Sequence, residues 1–131
     1  MRSSGKELLP KSGTTSRPAL HRGDLIIAVF ARDYGKPRPA VVVQSNLFNA
    51  SHGSVVLCPI SSDLTGFSVF RVRLIQAETS GLRMDSEVMV DKMGAVDRDR
   101  IRQRIGRLSP PQMSLVDQAL QIWLDLPDLT G

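Results

Sequence analysis

The chain has 131 residues, of which 41% are hydrophobic and 23% are charged, a composition typical of one globular domain. Its formal charge of +4 does not by itself indicate a nucleic-acid surface, because residues 1–22 carry the whole surplus and residues 23–131 hold 12 basic and 12 acidic side chains. No apolar run approaches the roughly 20 residues of a membrane span. We also find no pattern of a secretory signal, of paired cysteines or of zinc ligands. We therefore expect a cytoplasmic protein without a membrane partner, in which the single cysteine, Cys58, is a core residue.

The first half of the chain predicts an extension followed by short strands. Residues 1–21 are rich in Ser, Gly, Pro and basic residues, so we expect a flexible N-terminal extension, and one domain over residues 22–131. Arg22-Gly23-Asp24 is a turn signature, and the β-branched run Leu25–Phe30 after it predicts a buried strand. Turn-forming residues predict a loop over Ala31–Pro39. Further strands are predicted at Ala40–Gln44 and Ser54–Ile60, with a turn at Asn49–Gly53 between them.

The second half predicts two more strands and one segment with two interpretations. Phe67–Ile75 alternates between apolar residues and arginines, as expected of a strand with one buried face, and Glu87–Asp91 repeats the alternation. The apolar residues of Asp97–Leu108 have helical spacing, but a short turn followed by a strand fits this segment equally well.

The last predicted element is a helix. Ser109 is suited to cap it, Pro110 to occupy its first turn and Gln112 to complete a capping box, and Pro127 is expected to end it. We interpret its apolar stripe as a packing face, formed by Met113, Val116, Ala119, Leu120, Ile122 and Trp123. Because no long βαβ spacing separates the strands, the fold class is mainly β. We expect a small antiparallel barrel of about five to seven strands with the C-terminal helix packed on it.

The sequence contains no Gly-rich phosphate loop, no Gly-x-Ser-x-Gly elbow and no zinc-protease helix. Five segments nevertheless follow one another in a recognisable order between residues 22 and 126: Arg22-Gly23-Asp24, Lys36-Pro37-Arg38-Pro39-Ala40-Val41-Val42-Val43-Gln44-Ser45, Pro59-Ile60-Ser61-Ser62, Asp85-Ser86-Glu87-Val88 with Val96-Asp97-Arg98-Asp99-Arg100, and Ile105-Gly106-Arg107-Leu108-Ser109. Together these segments resemble the MazF/PemK toxins of bacterial type II toxin–antitoxin systems.

The resemblance implies an SH3-like β-barrel that forms a homodimer. It also implies a sequence-specific endoribonuclease that cleaves single-stranded RNA without a metal ion or other cofactor and leaves 2′,3′-cyclic phosphate and 5′-hydroxyl ends. A cognate MazE/PemI-like antitoxin is the implied protein partner. This activity suits a sequence without an ordinary catalytic motif, because the substrate supplies its own 2′-hydroxyl nucleophile.

Two residues are the predicted catalytic pair. Arg38 matches the functional arginine of the family, and its guanidinium can stabilise charge on the scissile phosphate. Ser61 matches the position where the family commonly has a functional threonine, and its hydroxyl can hydrogen-bond a phosphate oxygen or orient the 2′-hydroxyl.

The remaining candidates concern RNA binding and proton transfer. Tyr34 shares a loop with Arg38 and can stack on a base. Further candidate RNA contacts are Lys36, Gln44, Ser62, Arg71 and Arg73. Asp33 and Asp91 are candidate acids or bases. In one branch of the family an arginine two residues earlier pairs with the aspartate at the position of Asp91, and here that arginine is replaced by Met89. The basic stretch Arg98–Arg107 is compatible with solvent, RNA or an acidic antitoxin segment.

Two other functions remain open at this point. A CcdB-like toxin of the same fold would poison DNA gyrase through a protein contact that depends on a tryptophan close to the C-terminus. Trp123 lies on the apolar stripe of the predicted helix, which favours a core position instead. The third possibility is an inactive barrel that only binds RNA or a partner protein.

Overall fold

The computed structural model describes residues 19–66 and 68–128. Within them the chain forms seven strands and two α-helices: β1 Asp24–Val29, β2 Pro37–Val42, α1 Asn46–Asn49, β3 Ser54–Ser61, β4 Arg71–Leu74, β5 Ser86–Met89, β6 Gly94–Asp97, β7 Ile101–Arg107 and α2 Pro110–Leu124. Short 3-10 turns at Ala31–Asp33, Gln76–Glu78, Val90–Lys92 and Arg98–Arg100 connect several of them. None of the helices in the described residues is long and apolar enough to cross a bilayer.

The strands form one antiparallel sheet in the order β4-β5-β3-β2-β1-β7, with β6 also paired to β3. The first half of β3 pairs with β6 and its last two residues pair with β5, so β3 continues from one partner to the next. The hydrogen-bonded order is open, with β4 and β7 as its end strands. The predicted fold class, mainly β with about five to seven antiparallel strands and a C-terminal helix, is confirmed.

The sheet has a buried core on each face. Neighbouring residues of β1 point into different cores, Leu25 into the core under α2 and Ile26 into the core on the other face. Cys58 belongs to the first core and is fully buried. Burial raises the pKa of its thiol to about 12, so the group stays protonated at neutral pH and serves as an apolar core residue.

Strand β2 begins at Pro37, three residues earlier than predicted. A proline has no N–H to donate, so it is tolerated where a strand has a neighbour on one side only. β2 meets this condition, because β1 pairs with it from Pro37 onward whereas β3 pairs with Ala40–Val42 alone. The strand predicted over Phe67–Ile75 is shorter than expected and Phe67 lies outside the described residues.

The ambiguous basic segment forms a turn followed by a strand. The chain makes a 3-10 turn at Arg98–Arg100 and continues as β7, which pairs with β1. Ile101 lies in one core whereas Leu108 lies in the other, so these residues do not share the single face that a helix would give them. The helical alternative is therefore wrong.

Helix α2 begins as predicted, with Ser109 and Gln112 forming a reciprocal capping box and proline in the first turn. It ends at Leu124, where Asp125 adopts a left-handed conformation with a φ of 54°, before Pro127 is reached. Three residues of its stripe are buried: Val116, Ala119 and Leu120. Trp123 is 46% exposed and packs against the ring of Phe70 at 5.3 Å, so it was wrongly interpreted as core.

The packed body begins before residue 22. Leu20 is only 5% exposed and belongs to the core that contains Ile26, and the backbone N–H of His21 donates to Asp24. The predicted boundary between residues 21 and 22 therefore falls inside the folded part of the chain. Residues 1–18 lie outside the described residues, and the flexible extension remains a prediction.

Candidate active site

A cavity of about 760 Å³ lies where β2, the end of β3 and the segment before β5 meet, and we refer to it as the Arg38 cavity. Its lining combines apolar side chains such as Ile27, Leu82 and Met84 with polar ones. The charged and hydroxyl-bearing lining residues are Asp33, Arg38, Ser61, Ser62, Asp63, Arg83, Ser86 and Lys92. The two predicted catalytic residues therefore share one cavity, with Asp33 and Ser62 beside them.

Arg38 is positioned by the pairing of β1 with β2. It lies opposite Ala28 in the ladder, on the part of β2 that β3 does not cover. The loop before it turns sharply, because Tyr34 has a φ of 53° and Gly35 a φ of 83°. This turn brings Asp33 to 3.6 Å from the Nε of Arg38, and both side chains remain partly exposed to the cavity.

Ser61 is the last residue of β3. Its Oγ accepts a hydrogen bond from the backbone N–H of Asp63 at 3.0 Å, which fixes the oxygen at the start of the following turn. Because the hydroxyl acts as acceptor in this bond, its own proton can be donated to a ligand in the cavity.

Another part of the cavity wall is the segment Gly81–Met84, which the sequence motifs do not mark. Gly81 has a φ of 93°, and a Cβ placed on it would lie 2.4 Å from the carbonyl oxygen of Ile105. A Cβ on Gly106 would lie equally close to the carbonyl oxygen of Ser80. The two backbones therefore touch where only glycines fit. Arg83, Lys92 and Asp63 are cavity residues that sequence reasoning missed, and this glycine pair was the signal that could have pointed to the wall.

Arg71 was predicted to contact RNA and Asp91 to act as an acid or base, but the structure joins them to each other. The Arg71 guanidinium binds Asp91 through two contacts, Nε to Oδ1 at 2.6 Å and NH2 to Oδ2 at 3.0 Å, and its NH1 lies 3.3 Å from Glu87. Arg71 lowers the pKa of the Asp91 carboxyl, and Asp91 in turn raises the pKa of Arg71. We call these three residues the Arg71 ion cluster. Its members do not line the Arg38 cavity, and their ion pairs give them a structural role; the RNA contact of Arg71 and the acid or base role of Asp91 stay predictions.

Among the other predicted RNA contacts, Ser62 lines the Arg38 cavity, whereas Tyr34, Lys36, Gln44 and Arg73 lie outside its lining. Gln44 holds the turn before β3, since its amide bonds Asn49, Ser54 and Val56. These bonds give the amide a structural role, and the RNA contact of Gln44 stays a prediction. Tyr34 is 98% exposed at the tip of the loop that carries Arg38, and the exposed Lys36 lies beside it. Arg73 is exposed on β4.

The basic stretch Arg98–Arg107 does not form one surface. Arg98 is buried and donates to the carbonyl oxygens of Asn49 and His52, which anchors the turn after α1. Arg104 and Arg107 both pair with the buried carboxylate of Asp24. These three arginines therefore stabilise the fold.

No group of three or more His, Cys, Asp or Glu side chains in the described part of the chain is arranged to hold a metal ion. The lining of the Arg38 cavity, with three basic side chains and several hydroxyl groups, suits an anionic ligand.

Comparison with known proteins supports the resemblance that the sequence motifs indicate. A family model described as PemK-like, MazF-like toxin of type II toxin-antitoxin system matches residues 21–124. The chain belongs to this family. A relative named probable endoribonuclease MazF, from Mycolicibacterium smegmatis, is 33% identical over 108 residues, which are 82% of this chain and 98% of the relative. Endoribonuclease EndoA from Bacillus subtilis is 28% identical over 111 residues, 82% of this chain and 96% of EndoA.

The fold also agrees with solved structures of MazF-family proteins. An endoribonuclease from a mycobacterial species, solved in complex with its cognate antitoxin, superposes with a TM-score of 0.72 at 20% identity over 84% of this chain and 99% of that one. The family match does not favour the CcdB-like alternative, and the contact of Trp123 with Phe70 gives this tryptophan a packing role.

Proposed function

We propose that this chain is the toxin of a toxin–antitoxin pair and cleaves single-stranded RNA in the Arg38 cavity by transesterification. The observation that carries the proposal is the meeting of Arg38 and Ser61 on one cavity, although they belong to different strands. These are the two positions at which the sequence matches the functional residues of the MazF/PemK family. The endoribonuclease activity named for the relatives is thus supported here by a site of matching chemistry.

The reaction exchanges one phosphate ester bond for another. The 2′-oxygen of a ribose attacks the adjacent phosphorus, the bond to the 5′-oxygen of the next nucleotide breaks, and the products carry a 2′,3′-cyclic phosphate and a 5′-hydroxyl. One proton leaves the 2′-hydroxyl and one is delivered to the 5′-oxygen. No metal-bound water is required in this scheme, because the nucleophile belongs to the substrate.

Arg38 supplies electrostatic stabilisation of the pentavalent phosphorane. Its guanidinium offers several N–H donors in one plane, a geometry that fits two oxygens of a phosphate. The guanidinium of an arginine stays protonated at neutral pH and is a poor base, so we assign Arg38 charge stabilisation and proton donation to the 5′-oxygen. Ser61 donates its hydroxyl proton to a second phosphate oxygen and thereby orients the phosphate.

Asp33 is the proposed acceptor of the 2′-hydroxyl proton. It lines the Arg38 cavity and lies 3.6 Å from Arg38, so a phosphate held by the guanidinium has a carboxylate beside it. Asp91 does not line the cavity, and its two oxygens are bound by Arg71. Tyr34, at the tip of the same loop as Asp33, is the proposed stacking platform for a base of the RNA.

The proposal includes the biological setting of the family. We infer a homodimer in the cytoplasm, inhibited by a cognate MazE/PemI-like antitoxin. A mycobacterial endoribonuclease of the same fold has been solved with its antitoxin, which supports such a partner for this chain. The predicted N-terminal extension is assigned no role in catalysis.

The test is cleavage of a long single-stranded RNA by the purified protein in EDTA, with mapped sites and analysed termini. We expect cuts at a short recurring sequence, abolished in Arg38→Ala and strongly reduced in Ser61→Ala. Asp33→Asn should lose most of the rate, whereas Asp63→Asn, a change at the other cavity carboxylate, should retain it. Equal losses in the two aspartate variants would reject Asp33 as the specific proton acceptor.

A further inference from the structure

The lining of the Arg38 cavity includes an arginine, Arg83, to which the proposed reaction gives no role. The lining includes three basic side chains, Arg38, Arg83 and Lys92, and two carboxylates, Asp33 and Asp63. Arg38 lies 3.6 Å from Asp33. Within residues 19–66 and 68–128, by contrast, Arg83 makes no ion pair and no side-chain hydrogen bond, and it is exposed. None of its donors is used by another residue in the described part of the chain, so they are open to a ligand there.

The backbone beneath Arg83 is fixed from both sides. On one side Gly81 lies directly against the backbone of β7, at a distance that no side chain larger than hydrogen permits. On the other side Ser86 donates its hydroxyl to the carbonyl oxygen of Met84, and Asp85 accepts from the backbone N–H of Gln76. Arg83 thus belongs to a held segment of the cavity lining, separate from the strand that carries Arg38.

We propose that Arg83 binds a phosphate of the RNA strand next to the scissile phosphate. The inference rests on the proposed function, because it takes a nucleic-acid strand as the occupant of the cavity. A strand whose scissile phosphate is held by Arg38 and Ser61 carries a further phosphate on each adjoining nucleotide. A volume of about 760 Å³ is within the range that holds drug-sized ligands, so it accommodates more of the strand than the reacting group alone.

A flanking phosphate explains the chemistry of this wall better than a base does. The side chains beside Arg83 are Leu82 and Met84, which offer no hydrogen-bonding groups for reading a base edge. A guanidinium among apolar neighbours recognises a phosphate through charge and paired N–H donors. Arg83 then strengthens binding of every RNA sequence to a similar degree and leaves the sequence preference to other contacts.

The test measures binding separately from cleavage. An RNA oligonucleotide with a 2′-deoxyribose at the scissile nucleotide lacks the nucleophile, so its affinity can be titrated at several salt concentrations without turnover. Arg83→Ala should weaken binding about tenfold or more, as expected for a hydrogen bond to a charged group. The slope of log affinity against log salt should fall by about 0.7 for one lost contact to single-stranded RNA. Arg83→Lys should restore most of the affinity. Arg22→Ala removes one positive charge at an arginine that pairs with Asp117 outside the cavity lining, and it serves as the control.

Neutral methylphosphonate linkages locate the contact. Replacing the linkages one at a time should reveal a flanking position at which neutralisation weakens binding by wild-type protein but not by Arg83→Ala. With a cleavable RNA, the variant should show a raised KM and an unchanged kcat, because the contact is made equally in the ground state and the transition state.

The outcomes separate this proposal from the proposed function. If Arg83→Ala binds with wild-type affinity and salt slope, the phosphate contact is rejected while the cleavage scheme stands. An altered base preference with an unchanged slope would show a base contact and would also reject it. If the wild-type protein neither cleaves RNA nor binds the analogue, both proposals fail together.

Discussion

The Arg71 ion cluster gives a prediction whose size can be worked out from the structure. Replacing Arg71 by Met keeps much of the side-chain volume and removes the charge. It deletes the contacts of 2.6 and 3.0 Å to Asp91 and the contact of 3.3 Å to Glu87. The carboxylate of Glu87, only 2% exposed, and that of Asp91, 15% exposed, then lose their shared cation. Thr65 still donates two hydrogen bonds to Glu87 but contributes no charge.

Breaking a buried ion pair by removing one partner typically costs about 3–5 kcal/mol, because the remaining charge is left without compensation. We expect the free energy of unfolding of Arg71→Met to fall by that amount at pH 7. For a domain of this size the loss corresponds to a decrease in Tm of roughly 10–20 °C. The effect should be pH-dependent in a defined direction. Since Arg71 lowers the pKa of Asp91 in the folded state, the stabilisation is present above the ordinary carboxyl pKa of about 4 and is lost as pH falls below it.

The assay is denaturant unfolding of wild type, Arg71→Met and Arg73→Met between pH 3 and 7. Arg73 lies on the same strand two residues away and is exposed, so its variant should stay within about 0.5 kcal/mol of wild type. The difference between wild type and Arg71→Met should shrink towards pH 3. A variant as stable as wild type at pH 7 but unable to bind RNA would refute the structural role and support the predicted RNA contact.

Three further predictions concern single side chains. Leu20→Ala should lower the free energy of unfolding by about 2–4 kcal/mol in denaturant titrations, because Leu20 is buried in a core. As a control, Leu47→Ala at an 83% exposed position should change it by less than about 0.5 kcal/mol. Equal effects of the two substitutions would place residue 20 outside the folded body. Gly81→Ala combines a positive φ with a Cβ 2.4 Å from a carbonyl oxygen, so it should lower both the Tm and the rate of RNA cleavage. Gly53 has open space around it, so Gly53→Ala should preserve cleavage. Cys58 should react with a thiol reagent only when denaturant unfolds the chain, since its pKa of about 12 and its burial leave almost no accessible thiolate; rapid labelling of the native protein would contradict this.

Much of the fold could be predicted from local patterns. The capping box at Ser109 and Gln112 and the apolar run of β1 are each encoded within a few consecutive residues, and both were confirmed. The segment before α2 was ambiguous because its apolar residues meet the spacing of a helix. In the structure Ile101 and Ile105, four residues apart on β7, pack into different cores, because the register shifts between β1 and β7 interrupt the period of two.

Site residues that belong to a short sequence motif could be predicted, whereas residues whose role depends on contacts with distant parts of the chain could not. Arg38 and Ser61 were found from short motifs, and the structure places both on one cavity. Alternation along β4 marked Arg71 as facing away from the apolar side, but it contained no information about the carboxylates 16 and 20 residues later that bind it. Arg83 lies in a segment without periodicity, and its position on the cavity wall depends on a glycine contact between distant parts of the chain.

Cleavage by Arg38 through the 2′-hydroxyl is tested by analysis of the RNA ends that the wild-type protein and Arg38→Ala produce in EDTA. We expect 2′,3′-cyclic phosphate and 5′-hydroxyl ends at a short recurring sequence, with no products from the folded Arg38→Ala variant. We also expect a 2′-deoxyribose at the scissile nucleotide to prevent cleavage. Intact RNA with the wild-type protein, or cleavage that persists without Arg38 or the 2′-hydroxyl, would contradict this mechanism.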